Sequence, residues 1–161
     1  MEIKTDWNVI RKHFRRSFGT NFHISIASID GTGNPTNTPI GSLFLNDDLS
    51  GFYFEKYPSK LPKNAENNKN VCVMAVNSSS LFWIKSLFRE KFKEHPAIKL
   101  YGELGLRRKA TDSEIGRLQR RMKATRMLRG NDYLWGKMEY VREIHFHRAE
   151  KINLGKMTGQ L

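Results

Sequence analysis

The chain has 161 residues, which fits one domain with a sizeable buried core, and its single cysteine excludes a disulfide framework. Because free cysteines are typical of reducing compartments, we expect a cytoplasmic location. The net charge of +12 favours anionic partners: nucleic acid, an anionic membrane surface, or a phosphorylated cofactor or substrate. We expect neither a signal peptide nor a membrane span, since no apolar run approaches ~18 residues.

The first predicted elements are a helix and three strands. Residues 5–18 are amphipathic and predict a helix that Thr5 caps and Gly19 ends. Alternating apolar residues, separated by the turn-forming stretches DGTGNP and NDDLSG, then predict strands at 22–29, 36–45 and 51–57.

Pro39 and Gly41 are unusual inside the second of these strands. Proline cannot donate to a strand ladder, and glycine often marks a bulge or a close approach of the backbone to a ligand. The pair therefore indicates either an irregular edge strand or a backbone segment that meets a ligand.

A short helix and a buried strand follow. Residues 59–68 predict a helix with Ser59 as its cap and Pro62 in the first turn, where proline is tolerated. The run at 70–77 is almost continuously apolar, so we expect a central strand buried on both faces, with Cys72 in the core.

Residues 78–96 predict a helix whose apolar positions recur at helical spacing. The stripe consists of Leu81, Ile84, Phe88 and Phe92, and we expect it to face the core. Because basic residues flank the stripe, the alternative is a helix that lies on a membrane or a partner.

The C-terminal part predicts a strand, a basic helix and a final strand. The strand at 97–109 leads into TDSE at 111–114, a capping box that opens a helix over 111–128. Residues 107–129 carry nine Lys or Arg against two acids, a local net charge of +7, which indicates either a solvated basic face or an anion-binding surface. The last strand is predicted at 142–154.

This order of elements predicts a mainly β protein with flanking helices. Short strands joined by hairpin turns favour a small, closed or nearly closed barrel of about six antiparallel strands. We expect one domain over residues 1–161, with an N-terminal helix at 5–18, a helical insert at 79–93 and a basic helix at 111–128.

Few residue patterns indicate catalysis or metal binding. The sequence has no paired Cys or Cys/His spacing, no His-Glu-x-x-His and no glycine-rich phosphate loop. His145 and His147 share one face of the last predicted strand, where they would bind a metal or haem, or simply be solvated. We predict no catalytic side chain and no metal ligand.

The stretch SKLPKN at 59–64 carries features of an anion site. A helix N-terminus has free N–H groups and a positive dipole end. The Ser59 hydroxyl can donate to a phosphate oxygen, and Lys60 and Lys63 add positive charge. By itself, the stretch fits either a phosphate seat or a solvated surface turn.

The order of strands and turns over residues 20–125 resembles the FMN-binding split-barrel family, which includes the pyridoxamine phosphate oxidases. The resemblance rests on four stretches: IASIDGTGNP, TPIGSLFL, GFYFEKYPSKLPKN with the apolar strand after it, and AIKLYGELGLRRKATDSEI. It implies a split barrel that forms a homodimer and binds FMN at the subunit interface, with one site for each subunit.

The resemblance also implies which residues hold the flavin. The phosphate side would be formed around the turn into the short helix, by Lys56, Ser59, Lys60, Lys63 and Asn64, the last of which would brace the turn. The isoalloxazine ring would face the backbone of Ile40, Gly41 and Ser42.

Two departures from the family limit what the resemblance implies. Ser59 is followed directly by Lys60, where pyridoxamine phosphate oxidases usually carry Ser-Arg-Lys, and their C-terminal Arg-x-His-type substrate motif is missing. Vitamin B6 synthesis is therefore not implied. Relatives in the family also use a deazaflavin or haem, and these residues leave that choice open.

The interpretation that follows is an FMN-dependent oxidoreductase that moves electrons between a reduced nicotinamide and a small acceptor. The insert would cover the substrate side of the ring, and the basic helix would attract a phosphorylated cosubstrate. The alternatives are a non-catalytic module that binds nucleic acid or an anionic surface, and a flavin, deazaflavin or haem protein of the same fold without turnover.

Overall fold

Seven antiparallel strands form one curled sheet in the computed structural model, which describes residues 1–161. The strands are β1 (Ile24–Ile29), β2 (Pro35–Ile40), β3 (Leu43–Leu45), β4 (Ser50–Phe54), β5 (Asn70–Val76), β6 (Ala97–Lys109) and β7 (Tyr140–Lys151). Their spatial order is β2-β1-β5-β6-β7-β4-β3. The predicted mainly β fold is confirmed.

The sheet closes on itself at a corner between β2 and β3. These strands lie at opposite edges of the sheet, yet only Gly41 and Ser42 join them along the chain. The sheet must therefore curl until its two edges meet, which produces a split barrel. The single strand expected over 36–45 was wrong, since this corner divides it, and the barrel has seven strands rather than about six.

Five α-helices and two short 3₁₀ turns flank the sheet. The helices are α1 (Trp7–Asn21), α2 (Lys60–Asn67), α3 (Ser80–Phe88), α4 (Asp112–Arg121) and α5 (Arg129–Trp135), and the 3₁₀ turns are Lys123–Thr125 and Gly155–Met157. The short helix expected over 59–68 is confirmed as α2. The final strand was expected at 142–154 and lies at β7, two residues earlier at its start.

The ends of α1 differ from the expected ones. Thr5 does not cap the helix, because its hydroxyl donates to the carbonyl of Glu2, and Asp6 takes the N-cap position. Gly19 does not end it, since the helix continues to Asn21, whose side-chain amide donates to Val76 O at 2.6 Å. Phe22, with a left-handed φ of 60°, terminates the helix instead.

The basic helix expected over 111–128 is shorter than its charge pattern suggested. Its capping box is confirmed, with Glu114 N donating to Thr111 Oγ1 and Thr111 N to the Glu114 carboxylate. The α-helix ends at Arg121 and a 3₁₀ turn follows, in which Thr125 Oγ1 donates to Met122 O at 3.1 Å. Such local hydroxyl bonds compete with the helical ladder, and α5 begins only at Arg129.

The core has a larger part inside the barrel and a smaller one beneath α4. Trp7, Ile10 and Phe14 of α1 pack on the larger part, as the amphipathic pattern predicted. The smaller part joins Leu118 to three phenylalanines and two residues near the start of β7: Phe44, Phe52, Phe54, Met138 and Val141.

The central strand β5 is buried on only one face, so the expectation of two buried faces was wrong. It lies between β1 and β6, as expected for a central strand. Val71, Val73 and Ala75 are buried, whereas Cys72 is half-buried and Met74 is 36% exposed on the other face. Cys72 is therefore not a core residue, although partial burial raises the pKa of its thiol.

The apolar stripe of the insert does not face the core, which also corrects an expectation. The insert is helical over Ser80–Phe88 only, and Leu81, Ile84 and Phe88 are exposed, Phe88 by 92%. Phe82 and Trp83 pack instead on Phe92, the one buried member of the expected stripe. The helix therefore turns its flanking aromatics inward and its stripe outward.

His13 makes the stability of the fold depend on pH. It is buried on α1, with Nε2 3.0 Å from Ala75 O, and burial is the main cause that lowers its pKa from 6.5. Below pH 6.5, His13 binds a proton more readily in the unfolded chain than in the folded one. The free energy of unfolding therefore decreases as the pH falls below 6.5. His95 shifts in the same direction.

We expect His13→Gln to reduce this pH dependence, because a glutamine amide can still donate to Ala75 O and does not titrate. The measurement is the thermal unfolding midpoint of both proteins between pH 7.5 and 5.5. His23→Gln is the matched control, since His23 is exposed. An equal fall in the midpoint for the His13 variant and the unaltered chain would contradict the assignment.

Candidate functional site

A groove opens where the two edges of the sheet meet. Its volume is about 350 Å³, which lies within the range of small-molecule sites. The groove is lined by the β2–β3 corner, the end of β4 and the segment around α5: Thr38, Pro39, Ile40, Gly41, Ser42, Phe54, Tyr57, Pro58, Trp135 and Met138. The closure of the barrel thus assembles the groove from three separate parts of the chain.

Because Gly41 has no side chain, the Trp135 indole packs directly against the backbone of the β2–β3 corner. A Cβ atom at position 41 would lie 2.7 Å from the indole Cη2 of Trp135 and 3.3 Å from Phe22 O. Any larger residue would push the indole away. The indole therefore covers the same backbone that the resemblance assigns to the flavin ring.

The side chains on either side of Gly41 serve the fold. Ile40 is buried in the core, and the hydroxyl of Ser42 bonds to both Phe54 N and Phe54 O, at 3.2 and 3.3 Å. Ser42 thereby fastens the corner to the end of β4. Only the backbone of this corner remains to meet a ligand, which is the role that the resemblance gives it.

Ser59, Lys60 and Lys63 lie together at the N-terminus of α2, directly after the groove residue Pro58. All three are exposed, and the Ser59 hydroxyl makes no capping bond. The two lysines take part in no salt bridge. Their donors, together with the helix N–H groups, form an unpaired cationic end to the groove, which we name the lysine seat.

Asn64 and Lys56 are both engaged within the protein. Asn64 is buried, and its amide donates to Ser28 Oγ and Thr36 Oγ1, each at 2.9 Å, which ties α2 to β1 and β2. The Lys56 ammonium donates to Tyr133 O and Gly136 O, at 3.2 and 2.8 Å, at the C-terminal end of α5. Asn64 therefore positions the lysine seat, and Lys56 anchors α5 beside the groove.

Sequence reasoning missed the groove residues Tyr57, Trp135 and Met138. The hydroxyl of Tyr57 donates to Tyr133 O at 2.7 Å and so joins the same anchor as Lys56. Trp135 ends a helix of only seven residues with no buried side chain, so no hydrophobic periodicity marked it. The only local sequence signal near Trp135 is the following Gly136, since glycine often ends a helix.

The histidines and acids form no metal centre. No group of three or more His, Cys, Asp or Glu side chains is arranged to hold a metal ion. His145 and His147 are exposed on one face of β7, and His145 Nε2 lies 3.9 Å from a Glu143 oxygen.

No helix is both long enough and apolar enough to cross a membrane.

Solved structures similar to this chain have the FMN-binding split-barrel fold. An FMN-binding protein from Syntrophomonas wolfei superimposes with a TM-score of 0.57 at 12% identity, over 94% of this chain and 95% of that one. A candidate pyridoxamine 5'-phosphate oxidase from Lactobacillus delbrueckii gives a TM-score of 0.51 at 16% identity, over 84% and 90% of the two chains.

The haem storage protein HutZ from Vibrio cholerae is also similar, with a TM-score of 0.54 at 12% identity over 94% of this chain and 95% of that one. No protein-family model and no curated protein sequence matches the chain. The chain therefore has the split-barrel fold of these proteins, and identities this low show the fold alone.

The residues present fit a flavin at its phosphate end. The lysine seat offers a hydroxyl, two ammonium groups and helix N–H donors, none of them paired with an acid. The groove is lined by the aromatic and apolar side chains of Phe54, Tyr57, Trp135 and Met138 and by the 38–42 segment, which suits a flat ring. At Gly41 itself, a ring has to displace the Trp135 indole.

Proposed function

We propose that the chain is an FMN-dependent oxidoreductase that moves electrons between a reduced nicotinamide and a small acceptor. The observation that carries the proposal is that the lysine seat begins directly after the groove residue Pro58, in a fold that an FMN-binding protein shares. A ligand with a flat ring at one end and a phosphate at the other matches that arrangement.

The residues have separate roles in this proposal. Ser59, Lys60 and Lys63 hold the phosphate, and the corner at Gly41 meets the ring after Trp135 moves aside. FMN supplies the redox chemistry when bound, and the protein supplies binding, orientation and exclusion of water. No side chain of the groove is required as an acid or base for hydride transfer.

We further propose that the chain works as a homodimer with the cofactor at the subunit interface. Two apolar surfaces support this: the outward face of β5 with Met74 and Cys72, and the exposed stripe of α3 with Leu81, Ile84 and Phe88. Contact with a second subunit would remove such surfaces from water. Sedimentation of the purified chain at several concentrations measures the association.

The experiment that tests FMN binding is the visible spectrum of freshly purified protein, followed by titration with FMN. We expect flavin absorption, or saturable binding of added FMN that changes the tryptophan fluorescence. Trp135→Phe should remove most of that fluorescence change, because the other tryptophans, Trp7 and Trp83, line neither the groove nor the seat. A colourless protein that binds no FMN would refute the proposal.

A second candidate function is cofactor binding without turnover. It is favoured by a groove lining without Asp, Glu, His, Lys or Cys and by the similarity to the haem storage protein HutZ. The distinguishing measurement is oxidation of a reduced nicotinamide by the FMN-loaded chain. Tight binding of FMN with no oxidation of any reduced nicotinamide would favour this candidate, and a haem spectrum would assign the groove to haem.

A further inference from the structure

A second cavity lies between α1, β3 and α4, apart from the groove and the lysine seat. Its volume is about 450 Å³, and five of its 12 lining residues are arginines: Arg11, Arg15, Arg117, Arg120 and Arg121. Most of the others are aromatic or aliphatic. We name this the arginine cavity.

Arg121 points into apolar surroundings without an acidic partner. Its guanidinium carbon lies 3.5 Å from the centre of the Phe44 ring and 4.2 Å from that of Phe18, and Nη1 donates to Leu43 O at 2.6 Å. Burial, followed by the charge of Arg117, lowers the pKa of Arg121 to about 10. The remaining N–H groups of this guanidinium have no acceptor on the protein.

Arg117 stands beside it in a similar position. Its guanidinium donates to Asn46 Oδ1 and Leu45 O, at 2.6 and 2.7 Å, and lies over the ring of Phe44. Burial is the main cause that lowers its pKa, and the neighbouring charge of Arg11 adds to it. Two neutral oxygens position Arg117, and the charges of Glu114 and Asp47 offset its own only from a distance, without an ion pair.

The cavity as a whole has an excess of positive charge. Arg11 pairs with Asp47, and no other arginine of the cavity has a salt bridge. Arg15 and Arg120 are exposed at the rim and form no hydrogen bond through their side chains. Four guanidinium groups without an ion-pair partner surround one space and repel one another, and the partial burial of two of them, Arg117 and Arg121, adds a desolvation cost.

We propose that the arginine cavity binds a small organic phosphate. A phosphate group carries more charge than a carboxylate and offers three acceptor oxygens, which matches several guanidinium forks that converge on one space. The apolar part of the ligand would pack against Phe14, Phe18 and Leu43. This site is independent of the flavin groove and does not rest on the proposed function.

The position of the arginines explains why they are arginines and not lysines. Flat guanidinium groups stack on Phe44 and Phe18 and still present N–H groups at their edges, which an ammonium cannot do. Arg15 and Arg120 then close the rim from α1 and α4. A ligand held by both pairs of arginines would therefore bridge α1 and α4.

The test is calorimetric titration of the full chain with phenyl phosphate as the probe, with phenol and benzoate as comparisons. We expect binding of phenyl phosphate that is much tighter than that of either comparison. The double variant Arg15→Gln/Arg120→Gln should weaken it roughly 10- to 100-fold, since removing a charge-assisted hydrogen bond typically has this effect. Both residues are exposed and unpaired, so the fold should tolerate the change.

The matched control is Arg126→Gln/Arg129→Gln, which removes the same charge from exposed positions of the basic segment outside the cavity. It should leave the affinity for phenyl phosphate within about twofold, because distant surface charges are screened. Lys60→Ala should also leave it unchanged, which separates the arginine cavity from the lysine seat.

Four results would each overturn the proposal. They are absence of binding at millimolar phenyl phosphate, equal weakening by the two double variants, weakening by Lys60→Ala alone, and binding that the cavity variant leaves intact. A random oligonucleotide that binds more tightly than phenyl phosphate, and loses that affinity in the cavity variant, would assign the cavity to nucleic acid instead. Nucleic-acid binding should also weaken steeply with salt.

Discussion

Lys60→Ala is expected to weaken the binding of FMN roughly 10- to 100-fold, because a hydrogen bond to a charged group typically contributes ~1.5–3 kcal/mol. The Lys60 side chain is exposed at the N-terminus of α2 and forms no ion pair, so its loss should leave the fold intact. The measurement is the dissociation constant of FMN, obtained by fluorescence titration at fixed salt concentration.

The matched control for this prediction is Lys69→Ala. Lys69 is also an exposed lysine, and it follows α2 rather than opening it. It changes the net charge by the same amount and should leave the affinity nearly unchanged. Unaltered FMN binding by Lys60→Ala would place the phosphate elsewhere, and weakening by Arg15→Gln/Arg120→Gln instead would place it in the arginine cavity.

Glu55→Ala is expected to lower the free energy of unfolding by about 3–5 kcal/mol, which is the typical cost of breaking a buried ion pair. The Glu55 side chain is only 6% exposed and accepts from Arg142 Nε at 2.5 Å and from the Tyr53 hydroxyl at 2.8 Å. Arg107 Nε lies 3.2 Å from its other oxygen. Removal of the carboxylate leaves the half-buried Arg142 charge and the Tyr53 hydroxyl without this partner.

Urea unfolding of the variant and the unaltered chain measures this effect. Glu94→Ala is the control, because the Arg16–Glu94 pair is exposed, with side-chain exposures of 45% and 41%. Such pairs contribute about 0–1 kcal/mol. Glu55→Gln should fall between the two, since it keeps an acceptor but removes the charge. A loss below about 1 kcal/mol for Glu55→Ala would show that Arg142 finds other partners.

The two cavities suggest a division of the basic charge. The lysine seat carries exposed ammonium groups beside the groove, whereas in the arginine cavity Arg117 and Arg121 lie over aromatic rings. The first arrangement suits the phosphate tail of a flat cofactor and the second suits an organic phosphate of its own. Their variants are separate and can be combined, so the two proposals stand or fall independently.

Some elements were predictable because their signals are local. The capping box at Thr111 and Glu114 was visible as a four-residue pattern, and it forms as expected. The short helix α2 was marked by Ser59 and Pro62 in the same way. Alternating strands and the resemblance over residues 20–125 together predicted the split barrel.

Other features depend on which surfaces meet, and no local pattern contains that information. The stripe on α3 has helical spacing and yet faces outward, because Phe82 and Trp83 find Phe92 instead. The apolar run of β5 predicts burial on both faces, and yet one face of the strand is uncovered within a single chain. In both cases, periodicity specified an apolar surface but not the surface that would cover it.

Turns, helix caps and the excess of positive charge were predictable from the sequence, since each depends on composition or on residues close together in the chain. Long-range packing, by contrast, sets Trp135 over Gly41 and places Arg11 and Arg15 of α1 around the same cavity as Arg117 and Arg121 of α4. These residues are about a hundred positions apart. The strand β3 lines the cavity between the two helices, and this long-range packing places their arginines around one space.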